Sequence, residues 1–298
     1  MKTIKILLKR NISLFFKDKG LFFTSLITPL ILLVLYVSFL GNVYYDSFML
    51  SIPEGIDAED IINGCVGGQL LSSLLAVCCV TVAFCSNMLM VTDKVNGAAD
   101  DIAVSPVNRS YVALAYYIAS YLSTLLVCFV ATGAGFVYMA VMGWYLTVFD
   151  VFLILLDIAI LVMFGTALSS IINFFLSSQG QISAVGTIVS SCYGFICGAY
   201  MPISQFNEGL QTIITLLPGT YATSLIRNHC MNGALNELEN IGLPESAIEE
   251  IRSAVDCNIV FFEQNVSIGT MYAIILTTVA ILITAYILLN KFKGSKVK

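Results

Sequence analysis

The sequence predicts an all-α polytopic membrane protein with six transmembrane helices. The 298 residues are 58% hydrophobic and 11% charged, whereas a soluble domain carries about 25% charged residues. Six apolar stretches are long enough to cross a hydrocarbon core of about 30 Å. The cations also collect on one side of the resulting topology, as the positive-inside rule requires. We therefore expect residues 1–298 to form a single membrane domain.

The N-terminal segment, residues 1–20, is predicted to form an amphipathic helix in the membrane interface. Ile4, Leu8 and Ile12 recur at helical spacing, and Arg10 lies elsewhere on the helical wheel. The alternative is a basic tail that only directs membrane insertion and needs no helix.

The predicted spans follow in chain order, with spans 1 to 5 inside residues 21–200. Aromatic residues that suit the headgroup region end two of them, with Tyr44 and Tyr45 at span 1 and Trp144 and Tyr145 at span 3. The six spans are predicted at residues 21–45, 64–90, 111–141, 149–173, 182–200 and 267–290.

Charge decides the orientation. With six spans, both termini and a charged island at residues 91–109 lie on one side, and that side holds 12 of the 14 Lys and Arg residues. The other two are Arg227 and Arg252. The bias places the island, the N-terminus and the basic tail 291–298 in the cytoplasm of a multi-pass protein of the cell (plasma) membrane. A different span count, through a re-entrant segment, is the alternative.

The outer segment, residues 201–266, is predicted to be a re-entrant region with a small extracellular cap. Residues 202–228 hold apolar runs too short to cross the bilayer, interrupted by Pro218 and Gly219. We expect two short helices that dip into the outer leaflet and return, since broken backbone survives at that depth only when packed in protein or facing water. Residues 243–256 have the pattern of a soluble amphipathic helix.

The cysteines divide into two groups. Seven of the nine lie in or at the ends of spans, where small apolar packing is the expected role. Cys230 and Cys257 lie alone in the outer segment, where disulfides are permitted. We predict that these two form a disulfide that clamps the cap.

Small residues recur at every fourth position in two spans, a pattern that lets helix backbones approach closely. Spans 2 and 5 are therefore predicted to be dimer or conduit helices, although ordinary packing inside one subunit gives the same pattern. The residues are Gly64, Gly68, Ser72 and Ala76 in span 2, and Gly186, Ser190, Gly194 and Gly198 in span 5.

Asp157 is the one acid deep inside a predicted span. An intramembrane acid is by default a functional hypothesis, but a protonated or hydrogen-bonded Asp near the outer interface is the plainer interpretation. His229 is the single histidine, and a lone histidine is more often structural.

Other function classes lack their motifs in this sequence. There is no G-x-x-x-x-G-K-[ST] phosphate loop, so we do not expect the chain itself to hydrolyse ATP. We predict no catalytic, metal-binding or cofactor-binding residue, and no nucleic-acid partner. A membrane-embedded scaffold or enzyme is disfavoured because no catalytic constellation is present.

The island carries the most specific pattern. Asp93 is followed four residues later by Gly97, then by two acids and by the segment SPVNR at residues 105–109. This order resembles the loop after the second span in ABC transporter permeases of the type-2 exporter family. Two positions depart from that family, because the usual Glu is Asp93 and the frequent Gly-Thr is Gly97-Ala98. The outer segment is also longer than in the smallest members.

The resemblance implies a permease half that dimerises, as a homodimer or a heterodimer, among membrane lipid. It implies two separately encoded ABC ATPase subunits that bind ATP and Mg²⁺, and efflux of a lipophilic or amphipathic cargo such as a drug (multidrug export), lipid, peptide or glycan. The alternative is an ion-coupled secondary transporter or channel that uses Asp157. The island would be the ATPase-coupling loop, with the contact residues Asp93, Lys94, Gly97, Asp100, Asp101, Ser105, Pro106 and Arg109.

Overall fold

The computed structural model describes residues 2–53, 56–261 and 264–293, and these are almost entirely helical. Most of the predicted basic tail lies outside the described residues. The elements in chain order are α1 (Lys2–Lys17), α2 (Lys19–Leu35), a π-helical turn (Tyr36–Leu40), α3 (Gly41–Leu50), α4 (Glu59–Asn87), α5 (Leu89–Val95), α6 (Ala98–Val104), α7 (Arg109–Met142), α8 (Val148–Phe175), α9 (Gln179–Ile196), a 3₁₀ turn (Ile203–Gln205), α10 (Glu208–Thr215), α11 (Pro218–Asn240), α12 (Glu245–Ala254), β1 (Val260–Phe261), β2 (Gln264–Asn265) and α13 (Ile268–Lys293).

Helix α1 is the predicted amphipathic N-terminal helix. It packs along α7, and Phe15 on its apolar side is buried. The chain then turns into α2 at Asp18, whose side chain accepts a hydrogen bond from the backbone N–H of Leu21 at 3.0 Å. Such an N-cap satisfies a backbone donor that has no partner inside the helix. The prediction of a helix rather than an irregular tail is confirmed.

Five segments of the described chain are long and apolar enough to span a membrane: Lys19–Leu50, Glu59–Val95, Arg109–Met142, Val148–Phe175 and Ile268–Phe292. They correspond to predicted spans 1, 2, 3, 4 and 6. The predicted span 5 forms α9, an 18-residue helix, but its glutamine, serine and threonine residues make it less apolar than the other five. The all-α polytopic fold is confirmed, and the six-span count remains a prediction.

Helix α4 lies at the centre of the bundle. It packs against α2, α7, α8, α9 and α11, and its side chains are buried from Ile61 to Asn87 almost without a break. The neighbouring helices expose their outer faces instead, as with Val130 on α7 and Ile281 on α13. A central helix of this kind moves only together with its neighbours, because close-packed interiors transmit displacement.

The first span contains a π-helical turn between α2 and α3. Its residue Tyr36 is buried and donates a hydrogen bond to the carbonyl of Ala199 at 2.6 Å, just after α9. Isolated π turns are often found at functional sites. Two residues of this turn, Tyr36 and Leu40, line one of the grooves between α2 and α9 that are described below.

The outer segment differs from its prediction in one respect. The soluble amphipathic helix is confirmed as α12, and α10 is one short helix. The second of the two predicted short helices is instead α11, which is 23 residues long and packs between α4, α8 and α13. The prediction failed because Arg227, Asn228 and His229 have the polarity of a loop, whereas the bundle buries all three with hydrogen-bond partners.

Candidate functional site

The island, residues 91–109, is a helix, a tight turn and a second short helix. α5 continues from α4 with only Met88 between them. At Gly97 the backbone takes φ = 81°, a left-handed conformation that favours glycine. α6 follows, and α7 starts after Asn108, whose side chain accepts a hydrogen bond from Ser110 N–H at 3.0 Å. In the sequence, Gly97 and Pro106 predict a short helix between them, and α6 confirms this prediction.

Asp93 joins three helices at the root of the island. It is 5% exposed and accepts two hydrogen bonds from the Arg10 guanidinium on α1, at 2.6 and 3.0 Å. The hydroxyl of Tyr116 on α7 donates a third at 2.5 Å. The hydrogen bond to Asp93 raises the pKa of Arg10, so the guanidinium stays protonated. A two-pronged Arg–carboxylate contact fixes both position and orientation.

Lys94 ties the same root to a fourth helix. Its ammonium donates to the carbonyls of Asn173 and Phe174 at 2.9 Å each, and to that of Leu176 at 3.2 Å. These carbonyls belong to the C-terminal end of α8, where backbone acceptors lack partners and carry partial negative charge. The lysine therefore serves as a side-chain cap for α8.

The remaining predicted contact residues of the island are exposed or half-buried. Asp100, Asp101, Pro106 and Arg109 are exposed, and none of the residues of α6 is buried. Ser105 is half-buried and donates to the carbonyl of Ile102 at 2.5 Å, which closes the end of α6. The predicted contact residues thus divide into two groups, because Asp93 and Lys94 hold the loop and the others are presented by it.

The apolar part of this surface was missed in the sequence. Val104 is 88% exposed and Val95 is 44% exposed, although both belong to a loop rich in charge. Single exposed apolar residues are common on protein surfaces, and Val104 is singled out only by its place on α6, none of whose residues is buried. The one sequence feature that points to this apolar surface is the valine directly before SPVNR. Arg10, the partner of Asp93, gave no signal, since it lies 83 residues away.

The model of one protein family matches residues 2–229 of the chain, and its description is ABC-2 type transporter. The chain belongs to the ABC-2 type transporter family. No curated protein matches it. Members of this family are the permeases of ABC transporters, so the family resemblance of the island is confirmed, and the chain is a multi-pass membrane subunit.

The small-residue stripe of span 2 in this permease is used inside the subunit. A methyl group added at Gly64 would lie 2.5 Å from the Tyr145 ring, and one at Gly68 would lie 2.6 Å from the Cys230 carbonyl oxygen. Ser72 and Ala76 are also buried. The prediction that this stripe forms a dimer or conduit surface is wrong, because it brings α4 into contact with α11 and the α7–α8 connection.

The stripe of span 5 is turned inward only in part, because Gly194 and Gly198 are buried whereas Gly186 and Ser190 are half-buried. A methyl group at Gly186 would meet Met88, and one at Gly194 would meet the ring of Tyr200. The Tyr200 hydroxyl also donates to the carbonyl of Ser190 at 3.3 Å. Gly198 lies beyond the end of α9 and is buried. The dimer or conduit role of these four residues stays a prediction, and α9 exposes the hydroxyl side chains of Ser183, Thr187 and Ser191.

The predicted disulfide of the permease does not form in this structure. Cys230 and Cys257 are both buried free thiols. The sulfur of Cys257 lies 3.9 Å from the thioether sulfur of Met231, and it packs as a small apolar side chain. Spacing in the sequence put the two cysteines in one region, but the direction of each side chain depends on how α11 is packed.

A buried polar cluster surrounds the acid inside span 4. Asp157 lies 2.5 Å from Nδ1 of His229 on α11, and the hydroxyl of Tyr272 on α13 donates to its other oxygen. The rings of His229 and Tyr272 stack with centroids 6.4 Å apart. The interpretation of Asp157 as a hydrogen-bonded acid is confirmed. Its connection to His229 was missed, because 72 residues separate the two.

Proposed function

We propose that this permease is the membrane subunit of an ATP-driven exporter in the plasma membrane, with both termini in the cytoplasm. A separate ATPase subunit, which binds ATP and Mg²⁺, docks on α6. The observation that carries the proposal is the division of the island: α6 has no buried residue, whereas Asp93 and Lys94 immediately before it are bonded into the bundle.

The bonded root explains how a push on the island reaches the membrane. Displacement of α5 is passed through Asp93 to α1 and α7, and through Lys94 to the end of α8. Charge-assisted hydrogen bonds are about twice as strong as neutral ones, so they resist slipping when the loop is loaded. Motion therefore enters several helices together and is not confined to span 2.

The exposed face of α9 supports a second protomer and a cargo path. Ser183, Thr187 and Ser191 are exposed on this face, where lipid would favour apolar side chains. Grooves of about 520 and 620 Å³ run beside it, between α9 and α2. A second copy or a sibling chain would cover the hydroxyls and close the grooves. A lipophilic or amphipathic cargo would then move along a mostly apolar surface with a few hydroxyl groups.

The test is recovery of the ATPase subunit. The permease is purified from its native membranes, and a co-eluting polypeptide is labelled with a photoreactive ATP analogue. We expect Val104→Asp to weaken recovery at least tenfold, about 1.4 kcal/mol, because it replaces an exposed apolar side chain of the docking helix by a carboxylate. Val148→Asp is the matched control, since Val148 is 89% exposed at the start of α8, at the other end of the bundle.

Two results would contradict the proposal. One is that no nucleotide-labelled polypeptide co-elutes with the wild-type chain. The other is that Val104→Asp, or replacement of residues 97–106 by a flexible Gly-Ser linker, leaves recovery unchanged.

The second candidate function is ion-coupled transport, and the cluster around Asp157 favours it. A carboxylate held by a histidine and a tyrosine inside a bundle is an arrangement that can bind a proton. Transport that persists without any ATPase and is abolished by Asp157→Asn would favour this function over export driven by ATP.

A further inference from the structure

A cavity of about 420 Å³ opens in the outer segment, at the opposite end of the bundle from the island. Its walls come from the 3₁₀ turn after α9, from α10, from the end of α12 and from β1. The volume is within the range of about 300–1,000 Å³ that small-molecule sites occupy. Neither ATPase coupling nor the grooves beside α9 uses this cavity.

Three polar side chains that line the cavity donate to other groups of the protein, whereas the hydroxyls of Ser204 and Ser253 can donate or accept. The Gln211 amide donates to the carbonyls of Ser204 and Phe206, at 3.3 and 2.7 Å. The Asn258 amide donates to Glu249 at 2.6 Å, and the Thr212 hydroxyl donates to the carbonyl of Glu208 at 2.9 Å. What remains on these groups is the amide oxygens and hydroxyl lone pairs, which accept. These three side chains therefore present hydrogen-bond acceptors to a ligand that donates.

The charge of the lining has one sign. The charged residues among those described around the cavity are Glu208, which is exposed, and Asp256, which is 6% exposed. Asp256 accepts from Ile203 N–H at 2.8 Å. Its nearest cation, Arg227, is 3.6 Å away and fully buried behind it. The whole outer segment carries eight acids and two cations. Positive charge is therefore attracted to this cavity.

The remaining wall is apolar and comes from Ile203, Ile259, Val260 and Phe261. One side of the cavity presents hydrogen-bond acceptors and carboxylates, and the other presents apolar side chains. A ligand with a cationic donor group and an apolar body would contact both sides. We propose that this cavity binds an amphipathic organic cation, an ammonium or guanidinium group attached to a small apolar body. Its use as the exit-side site for an exported amine rests on the proposed function, whereas the binding itself does not.

The experiment uses the full-length chain in nanodiscs with no ATPase or nucleotide, so that its outcome is independent of export. The probes are 4-phenylbutylammonium and its neutral analogue 4-phenylbutanol, titrated by calorimetry against empty nanodiscs. We expect saturable binding of the amine and at least tenfold weaker binding of the alcohol. Glu208→Gln should weaken binding of the amine roughly two- to fivefold, whereas the matched control Glu245→Gln, an exposed acid of α12 outside the lining, should not.

Two further measurements keep the test clear of folding artefacts. Ser253 is exposed on the cavity wall, so Ser253→Trp should block the amine while the thermal stability stays unchanged. Burial raises the pKa of Asp256 to about 6, so binding should weaken as pH falls from 7.5 to 5 and this carboxylate is neutralised. The proposal is overturned if amine and alcohol bind equally, if neither binds, or if Glu208→Gln and Glu245→Gln have equal effects.

Discussion

Replacement of Asp93 by Asn tests whether the island is rigidly held at its root. The variant keeps the size of the side chain but removes the charge that pairs with Arg10 at 2.6 and 3.0 Å. Breaking a buried ion pair costs about 3–5 kcal/mol. The Arg10 side chain is 32% exposed, so solvent recovers part of that loss. We expect unfolding free energy to fall by about 2 kcal/mol.

The assay is equilibrium unfolding in mixed detergent micelles, followed by circular dichroism. Arg10→Gln and the double variant complete a thermodynamic cycle, and we expect a coupling energy above about 1 kcal/mol, since contacting residues are not additive. Trypsin should also cleave faster within α1, because that helix loses its anchor. Asp101→Asn is the control, since Asp101 is exposed on the same loop, and it should change stability by less than about 0.5 kcal/mol.

The reasoning is refuted if Asp93→Asn is as stable as the wild type, or if the effects of the two single variants simply add. Either result would mean that Asp93 and Arg10 do not depend on each other in the folded protein. The transmission of motion from the island to α1 and α7 would then have no physical basis.

Three other variants test neighbouring features. Lys94→Met should destabilise the end of α8 by about 1 kcal/mol, seen as faster amide exchange at residues 173–176. Gly68→Ala should lower the free energy of unfolding by about 1–3 kcal/mol, measured by thermal unfolding, because its methyl group would lie 2.6 Å from a carbonyl oxygen. Gly133→Ala is the control and should leave the stability unchanged, because the space around Gly133 is open. The wild type should lose at most about 3 kcal/mol of stability as pH rises from 4 to 6, and Asp256→Asn should abolish this loss.

The sign of the last prediction follows from the raised pKa. Burial favours the neutral form of Asp256, whose pKa is about 6 in the folded protein against an ordinary value of 3.8. Between these values the folded protein binds more protons than the unfolded chain, so stability falls as pH rises. A pH-independent wild type, or an Asp256→Asn variant that keeps the wild-type slope, would contradict it.

The sequence by itself determined the membrane class, the position of five spans, the N-terminal amphipathic helix and the location of the island. All of these follow from local composition and periodicity, which a stretch of neighbouring residues carries within itself. Gly97 and Pro106 marked the limits of α6 for the same reason. The family resemblance also came from a local order of residues between spans 2 and 3.

Tertiary structure alone decided which of these residues work together. Asp93 meets Arg10, Lys94 meets the end of α8, and Asp157 meets His229, over separations of 83, 79 and 72 residues. The small-residue stripes showed that α4 and α9 pack closely, but not against which partner, since a helix face with small residues fits any neighbouring backbone. The long helix α11 was hidden because its polar residues find partners only after the bundle has assembled. Such contacts depend on where distant helices are placed, and no local pattern records that placement.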